Sequence, residues 1–268
     1  MSAAESLTPR VFIVRHGETE WAKLGRQTGK TDLSLTDFGV AQVRTTASHL
    51  VGANKLLEPA KLVRVYVSPR IRALQTLDGL LGKGEIERLK GKGMVVETED
   101  VAEWDYGEYE GLTMHQIRER RREKGRDDER RVWNVWRDEC EGGENKEQAT
   151  QRLDRVIAAI RDIQRPCMRG EKPTDVLVVA HGVILRAFVM RWLGYPIEMP
   201  LNMMLAPGAV GVLSYKYNSV DEPAFHVGMA LPVEGRSTYL VYPREGISSD
   251  SQGQSPLDST KSRLNLAT

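Results

Sequence analysis

Two histidines each follow an apolar run at the point where the chain turns into a loop or a helix. His16 comes after Arg15 and the run RVFIVR (10–15), and His181 comes after DVLVVA (175–180). The carboxyl ends of parallel strands lie at one edge of a sheet, where ligands collect. We therefore expect both histidines to share one site. A lone His-Gly pair would more simply cap a turn, but two such pairs with an adjacent arginine favour a functional site.

Two further motifs offer charged residues to the same site. SPRIRALQT (68–76) follows a predicted strand and opens a predicted helix, and both a helix N-terminus and Arg72 favour an anion. Arg70 and Arg72 cannot face the same spot on a helix, so one of them should point to solvent. The segment EWDYGEYEG (103–111) offers carboxylates after another strand. A carboxylic acid beside a bound phosphate can serve as a proton donor, because a nearby negative charge raises a carboxyl pKa.

Two arginines, two histidines and one carboxylic acid suit phosphoryl transfer without a metal. A phosphate dianion must be neutralised before a nucleophile approaches, and arginines with a cationic histidine can supply that charge. A neutral imidazole is a competent nucleophile near pH 7, whereas serine would need a base. The acid would protonate the leaving oxygen and later help to activate water on a phosphohistidine. The sequence contains no Walker loop, HExxH or clustered Asp motif, and we expect neither a metal nor another cofactor.

The spacing of apolar residues predicts the elements that position these side chains. Strands rich in Val and Ile are predicted at 10–15, 62–67, 94–98 and 175–180. Helices are predicted at 35–51, 69–81, 145–164 and 181–193. Late edge strands, antiparallel to the rest, are predicted at 208–217 and 225–231. The alternation favours an α/β fold, a three-layer α/β/α arrangement with a mostly parallel sheet and an antiparallel edge strand.

Composition bounds the class of protein. The 268 residues carry 38 Lys+Arg against 37 Asp+Glu, so no broad basic face is expected and nucleic acid is not an expected partner. No apolar run approaches the ~18 residues of a membrane span, and no apolar leader opens the chain. Cys140 and Cys167 form no disulfide framework, which fits a reducing compartment. We expect a cytoplasmic location, with the nucleus left open, and the oligomeric state, a homo-oligomer included, stays open.

The chain is expected to form a single domain over residues 1–245, followed by a mobile serine-rich tail at 246–268. Within the domain, a charged helical insertion is predicted at about 112–140. Its segment 116–131 (QIRERRREKGRDDERR) has two interpretations. It is either a solvated helix with i,i+4 ion pairs, or a cover over the active site that supplies cations to a second phosphate.

The motifs taken together resemble the histidine phosphatase superfamily, in its phosphoglycerate mutase-like branch, from about residue 11 to residue 212. The resemblance implies a phosphoglycerate mutase-like fold and a phosphoric monoester hydrolase that works through a phosphohistidine. The segments that carry it are RHGETEW (15–21), TGKTDLSLTDFG (28–39), SPRIRALQT (68–76), EWDYGEYEG (103–111), EGGE (141–144) and AHG (180–182).

The resemblance also implies a role for each matching residue. His16 corresponds to the phosphorylated nucleophile and Glu103 to the proton donor. The implied phosphate pocket consists of Arg15, Arg72 and His181. The candidates for substrate contact are Thr28, Gly29, Glu18, Gly182 and Arg186, and Glu144 is a further residue near the site. For Glu18, Glu144 and Arg186 a purely structural role stays open. Many relatives have Asn after the tryptophan of the first motif, where this chain has Ala22.

Within the family, SLTPR (6–10) and WNVWRDECEGGE (133–144) resemble a fungal group that acts on sedoheptulose 1,7-bisphosphate. This implies a small phosphorylated substrate, a sugar bisphosphate, with sedoheptulose 7-phosphate as product. A phosphoglycerate mutase-like enzyme and a broad-specificity or secondary-metabolite phosphatase stay open as alternatives, although residues 112–133 lack the prolines of the mutase insertion. A non-catalytic phosphate-binding module is the alternative from another class.

Overall fold

A six-stranded sheet runs through the computed structural model, which describes residues 8–128 and 131–226. Its strands are β1 (Val11–Arg15), β2 (Leu62–Val67), β3 (Val95–Glu97), β4 (Asp175–Ala180), β5 (Val210–Tyr215) and β6 (Pro223–Phe225). Their order across the sheet is β3-β2-β4-β1-β5-β6. The first four in that order are mutually parallel, whereas β5 runs antiparallel to β1 and β6 antiparallel to β5. The predicted mostly parallel sheet is confirmed; its antiparallel pairings lie on one side, where β5 is paired with both β1 and β6 and only β6 forms the edge.

The register of the two central strands decides where the histidines lie. Arg15 of β1 pairs with Ala180 of β4. Both strands end at that pair, so the next residues along the chain, His16 and His181, leave the sheet side by side. The edge strand predicted at 225–231 differs: β6 covers Pro223–Phe225, and residues 227–231 lie outside the described part of the chain, as does the tail at 246–268.

The helices are α1 (Glu20–Lys23), α2 (Asp37–Leu50), α3 (Ile71–Leu81), α4 (Lys83–Gly91), α5 (Met114–Glu123), α6 (Lys146–Gln164) and α7 (Gly182–Trp192). Short 3₁₀ turns lie at Pro59–Lys61, Glu99–Val101, Gly107–Tyr109 and Arg165–Cys167. The helix α4 was not predicted, because only Ile86 and Leu89 of its nine residues are buried. No described helix is long and apolar enough to cross a membrane.

The helices cover the sheet on both faces and bury two apolar cores. Side chains alternate along a strand, so Val11 and Ile13 of β1 join one core while Phe12 and Val14 join the other. The first core includes residues of α5, α6 and α7, and the second includes residues of α2, α3 and α4. The predicted three-layer α/β/α arrangement is therefore confirmed.

The charged segment is held mainly by long-range ion pairs. Arg121 is buried and pairs with Asp127 at 2.8 Å. Lys124 and Arg126 both pair with Glu141, at 2.6 and 2.7 Å. Arg121 thus pairs within the segment, whereas Lys124 and Arg126 attach it to the loop that carries Glu141. An i,i+4 pair is seen at His115–Glu119, with ring nitrogen and carboxylate 3.3 Å apart, so the predicted local pairing describes little of the network.

Candidate active site

His16 is buried and electrically neutral. Its Nδ1 lies 2.7 Å from the carbonyl oxygen of Gly17. A carbonyl only accepts hydrogen bonds, so Nδ1 carries the proton and the lone pair is on Nε2. Burial, assisted by the charges of Arg72 and Arg15, lowers the pKa of His16 from 6.5 to about 3, against a smaller opposing effect of the Gly17 carbonyl. At neutral pH the ring is therefore uncharged, and its Nε2 carries no proton and is available as a nucleophile.

His181 is also neutral, and both of its ring nitrogens are bonded. Its ring centroid lies 5.1 Å from that of His16. Nδ1 accepts from Nε of Arg72 at 3.1 Å, so the proton is on Nε2, which donates to Oγ of Ser68 at 2.7 Å. Burial first, then Arg72, lowers its pKa well below 6.5. Two buried rings beside an arginine are thus held neutral, and a cationic histidine beside a bound phosphate stays a prediction.

Arg72 is fully buried and holds the loop formed by residues 28–31. Its Nη1 donates to the carbonyl of Thr31 at 2.9 Å, and its Nη2 to those of Thr28 and Gly29 at 3.1 and 3.0 Å. The carboxylate of Glu110 accepts from the amide of Gly29, at 2.9 and 3.0 Å to its two oxygens, and from that of Thr31 at 2.9 Å. The loop is thus fixed on both its carbonyls and its amides.

The two arginines of this motif face different sides, as predicted, but the side chain of Arg70 is only 17% exposed and does not point freely to solvent. Arg72 turns inward to His181, whereas Arg70 forms two hydrogen bonds, of 2.9 and 3.0 Å, with the exposed carboxylate of Glu99. Arg72 is not among the residues that line the cleft around His16, and four of its five N–H groups donate to His181, Thr28, Gly29 and Thr31.

Arg15 presents unsatisfied donors beside the nucleophile. Its Nη1 donates to the carbonyl of Leu205 at 2.8 Å, and its buried Nε has no hydrogen-bond partner among the described residues. Burial lowers the pKa of Arg15, and the charge of Arg186 acts in the same direction while that of Glu103 opposes it. An anion bound next to His16 would satisfy this buried donor.

Glu103 lies at the N-terminus of α7. Its Oε1 accepts from the backbone amides of Trp104 and Ile184, both at 2.9 Å, and its Oε2 accepts from that of Val183 at 3.1 Å. His181, the residue before α7, provides no side-chain cap, so the carboxylate of Glu103 satisfies the free amides of the helix. This capping fixes the carboxyl group at the cleft.

Two glycines of the site are required by close approach. A Cβ on Gly29 would lie 2.4 Å from the carbonyl oxygen of Trp104. A Cβ on Gly182 would lie 3.1 Å from both Cζ and Nε of Arg15. Gly182 therefore lets the Arg15 guanidinium lie flat against the start of α7, and Gly29 lets its loop approach the segment that carries Glu103.

Two predicted acidic residues have structural partners and do not line the cleft. Glu18 accepts from Oγ1 of Thr36 at 2.9 Å, at the N-cap of α2. Glu144 forms two hydrogen bonds, of 2.6 and 2.8 Å, with Arg152, which also donates to the carbonyl of Ala102 at 2.8 Å. Glu144 thus supports the chain just before Glu103 rather than reaching the cleft.

A cleft of about 190 Å³ opens above the strand ends. The predicted residues that line it are Arg15, His16, Thr28, Glu103, Gly182 and Arg186. Ala22 also lines it, and its backbone amide donates to Thr19 at 3.2 Å, so this amide does not replace the side chain of the family's Asn. Three arginines face one carboxyl group among the lining residues described, so the cleft is positively charged in either ionisation state of that carboxyl.

Sequence reasoning missed four polar residues of this cleft: Thr19, Arg26, Gln27 and Tyr106. Tyr106 belongs to the EWDYGEYEG motif, so its position in that motif could have indicated that it lies at the site. Its ring is buried, and burial first, then the charge of Glu103, raises its pKa well above 10. Arg26 and Gln27 had no such signal, since they reach the cleft only because their backbone pairs with residues 111–113.

At the ends of the parallel strands, a buried, neutral histidine shares a cleft with an arginine that has an unsatisfied donor, and a neutral imidazole of this kind is chemically able to act as a nucleophile. The comparisons with known proteins agree with this chemistry. The model of the histidine phosphatase superfamily (branch 1) matches residues 11–222. The chain belongs to this family and is a phosphatase-type hydrolase, and the predicted phosphoglycerate mutase-like fold is confirmed.

Three known proteins show how far the likeness extends. Sedoheptulose 1,7-bisphosphatase of Saccharomyces cerevisiae is 37% identical over 254 residues, which cover 83% of this chain and 93% of that protein. An acid phosphatase of Mycobacterium tuberculosis is 34% identical over 208 residues, 78% of this chain and 87% of that protein. The solved structure of an open reading frame product of Mycobacterium tuberculosis has a TM-score of 0.61 at 31% identity and covers 82% of this chain and 96% of its own.

Proposed function

We propose that the protein hydrolyses a sugar bisphosphate through a phosphohistidine on Nε2 of His16, with sedoheptulose 1,7-bisphosphate as substrate and sedoheptulose 7-phosphate as product. The observation that carries this proposal is the protonation of His16. Its Nδ1 proton is held by Gly17, its pKa is lowered to about 3, and it shares its cleft with Arg15, whose buried Nε is unsatisfied.

In the first step, Nε2 of His16 attacks phosphorus and the bond from phosphorus to the sugar oxygen breaks. Arg15 binds the phosphoryl oxygens, and the leaving oxygen takes the proton that a protonated Glu103 carries. The imidazole becomes positively charged when it is phosphorylated, and the Nδ1–H bond to the Gly17 carbonyl, 2.7 Å long, stabilises that charge.

In the second step, water attacks the phosphohistidine and the phosphorus–nitrogen bond breaks. Glu103, now ionised, accepts a proton from the water, which restores its acid form and releases phosphate. Arg72 acts indirectly: its charge adds to the larger effect of burial in keeping His16 neutral, and its hydrogen bonds fix His181 and the loop at 28–31. It is therefore a positioning residue in this mechanism.

The choice of substrate is supported by the cleft and by the relatives. The cleft contains two arginines besides Arg15, which suits a second negatively charged group. The yeast relative at 37% identity is a sedoheptulose 1,7-bisphosphatase, and its alignment covers 93% of that protein. The acid phosphatase at 34% identity makes broad specificity the second candidate. A cytoplasmic location stays a prediction.

A turnover panel tests the substrate. Ketose bisphosphates of six, seven and eight carbons, the matching monophosphates, phosphoglycerates and an aryl phosphate are compared by kcat/KM with a chelator present. We expect the seven-carbon bisphosphate to lead. Equal values for the aryl phosphate and the bisphosphates would support the broad acid phosphatase instead, and interconversion of phosphoglycerates without release of phosphate would support a mutase.

Trapping of the intermediate tests the mechanism. Brief incubation with substrate labelled in its 1-phosphate, followed by alkaline quenching, should leave acid-labile phosphate on the protein, and His16→Gln should abolish it. His49→Gln is the control, because His49 is exposed on α2 and far from the motif residues. Absence of label in the wild-type protein during steady turnover would reject the phosphohistidine, and absence of both label and turnover would favour the non-catalytic binding module.

A further inference from the structure

Two arginines of the cleft have no part in the phosphoryl-transfer steps. Arg26 and Arg186 both line the cleft, and neither forms an ion pair within the described part of the chain. Each donates one hydrogen bond to a backbone carbonyl. Nη1 of Arg26 donates to that of Gly111 at 2.8 Å, and Nε of Arg186 donates to that of Gly182 at 3.1 Å. Each guanidinium is thus anchored at one nitrogen and keeps its other N–H groups for a ligand.

Arg26 extends from a backbone that is fixed. Its amide donates to the carbonyl of Trp21 at 2.9 Å, and the next amide, of Gln27, donates to the carbonyl of Leu112 at 2.9 Å. The Trp21 ring packs against Gly111, where a Cβ would lie 2.9 Å from Cη2. A guanidinium on such a support loses little conformational entropy when it binds an anion.

Arg186 approaches the cleft from another element. It lies one turn into α7, and its guanidinium carbon is 5.9 Å from the ring centroid of Trp136. It lines the same cleft as Arg15, and its charge contributes to the lowered pKa of Arg15. Two anchored cations from separate elements therefore converge on one cleft, in addition to the arginine beside the nucleophile.

The charged segment at 116–131 does not supply this second cationic site. Arg121, Lys124 and Arg126 are paired with Asp127 and Glu141, and no described residue of the segment lines the cleft. These three cations are thus neutralised by carboxylates outside the cleft.

We propose that Arg26, together with Arg186, binds the second phosphate of the substrate, so that the cleft selects a molecule with a phosphate monoester at each end. This inference rests on the proposed function and names the residues that set its substrate class. One phosphate lies against Arg15 and His16, and the other against Arg26 and Arg186. An arginine binds phosphate through two parallel hydrogen bonds, and both of these side chains keep free N–H groups.

Binding measurements test the site without turnover. In a His16→Gln background, calorimetry gives Kd for fructose 1,6-bisphosphate, fructose 1-phosphate and 3-phosphoglycerate. We expect the bisphosphate to bind at least tenfold more tightly than the monophosphate, and Arg26→Gln to reduce that advantage by roughly ten- to a hundredfold, the usual effect of losing a charged hydrogen-bond pair. The control is Lys23→Gln, which removes the same charge from an exposed residue outside the cleft and should keep the advantage.

The outcomes separate this site from the proposed reaction. An unchanged Kd ratio in Arg26→Gln would overturn the inference. It would also be overturned if 3-phosphoglycerate bound as tightly as the bisphosphate and lost as much affinity through Arg26→Gln, because the second anion site would then accept a carboxylate as well as a phosphate. If the wild-type protein releases no phosphate from any bisphosphate but the Kd ratio still depends on Arg26, the proposed function fails and the second anion site stands. Should His16→Gln not fold, kcat/KM is measured with His16 intact. The ratio of the values for fructose 1,6-bisphosphate and fructose 1-phosphate, with and without Arg26→Gln, then tests the same inference.

Discussion

The protonation of His16 is the feature on which the proposed chemistry depends most, and it can be measured directly. An ordinary histidine with a pKa near 6.5 is about 97% cationic at pH 5. With its pKa lowered to about 3, His16 should be only about 1% cationic at pH 5. Lowering the pH from 7.5 to 5 should therefore leave its nucleophilic nitrogen free.

Long-range proton–nitrogen NMR of protein labelled with ¹⁵N-histidine distinguishes the cation and the two neutral tautomers. The His16 signals are assigned by their loss in His16→Gln. We expect a neutral ring with the proton on Nδ1 across this pH range, because the Gly17 carbonyl can only accept. The same protein unfolded in urea is the control and should titrate near pH 6.5. A cationic His16 at pH 5, or a proton on Nε2, would refute the reasoning.

The same lowered pKa has a consequence for stability. Between about pH 3 and 6.5 the unfolded chain binds a proton at His16 that the folded chain does not, so stability falls as the pH falls. From pH 7 to pH 5 this residue alone should cost about 2 kcal/mol of unfolding free energy. The pKa of His181 is lowered in the same direction and adds to the loss. Urea titrations should show a smaller pH dependence in His16→Gln than in the wild-type protein.

Two further variants test how the site is positioned. Gly182→Ala places a methyl group 3.1 Å from the guanidinium of Arg15, so we expect kcat/KM to fall roughly five- to tenfold by displacement of Arg15, with unfolding free energy changed by less than about 1 kcal/mol. Glu110→Ala removes the acceptor for the amides of Gly29 and Thr31, so we expect a loss of about 1–3 kcal/mol of stability and a raised KM, with Glu110→Gln intermediate because one oxygen remains.

Matched controls make these two predictions decisive. Gly84→Ala adds the same methyl group in α4, where nothing lies within 4 Å, and should leave kcat/KM at the wild-type value. Glu108→Ala removes a carboxylate two residues from Glu110 that pairs only with exposed cations, and should cost less than about 1 kcal/mol. Wild-type activity in Gly182→Ala, or equal effects at positions 108 and 110, would contradict the assigned roles.

The fold and the centre of the site could be predicted because their signals are local. Alternating apolar residues mark the strands, and Thr36, a residue type favoured at helix N-termini, caps α2 by accepting from the amide of Gly39 at 3.0 Å. Once the strands are parallel, residues that follow their carboxyl ends must meet, which brings His16 to 5.1 Å from His181. Glu103 could be assigned only because its motif resembles that of a known family.

The remaining properties of the site depend on pairings between distant parts of the chain. Arg72 and His181 are separated by 109 positions, and Gly29 and Glu110 by 81, so no local pattern could have linked them. The same applies to Arg26, which reaches the cleft through residues 111–113, and to Lys124 and Arg126 of the basic segment, which pair with Glu141.

The charge states of His16 and His181 show most clearly which properties depend on the sequence and which on the tertiary structure. The residue types and their order along the chain already indicated a histidine nucleophile, an arginine partner and an acid. The sequence did not indicate that both histidines are neutral, because a pKa depends on burial and on neighbouring charges, which exist only after the chain has folded. Residue identity therefore supplied the candidates for the chemistry, and long-range packing set their protonation, their hydrogen-bond partners and the second cationic site.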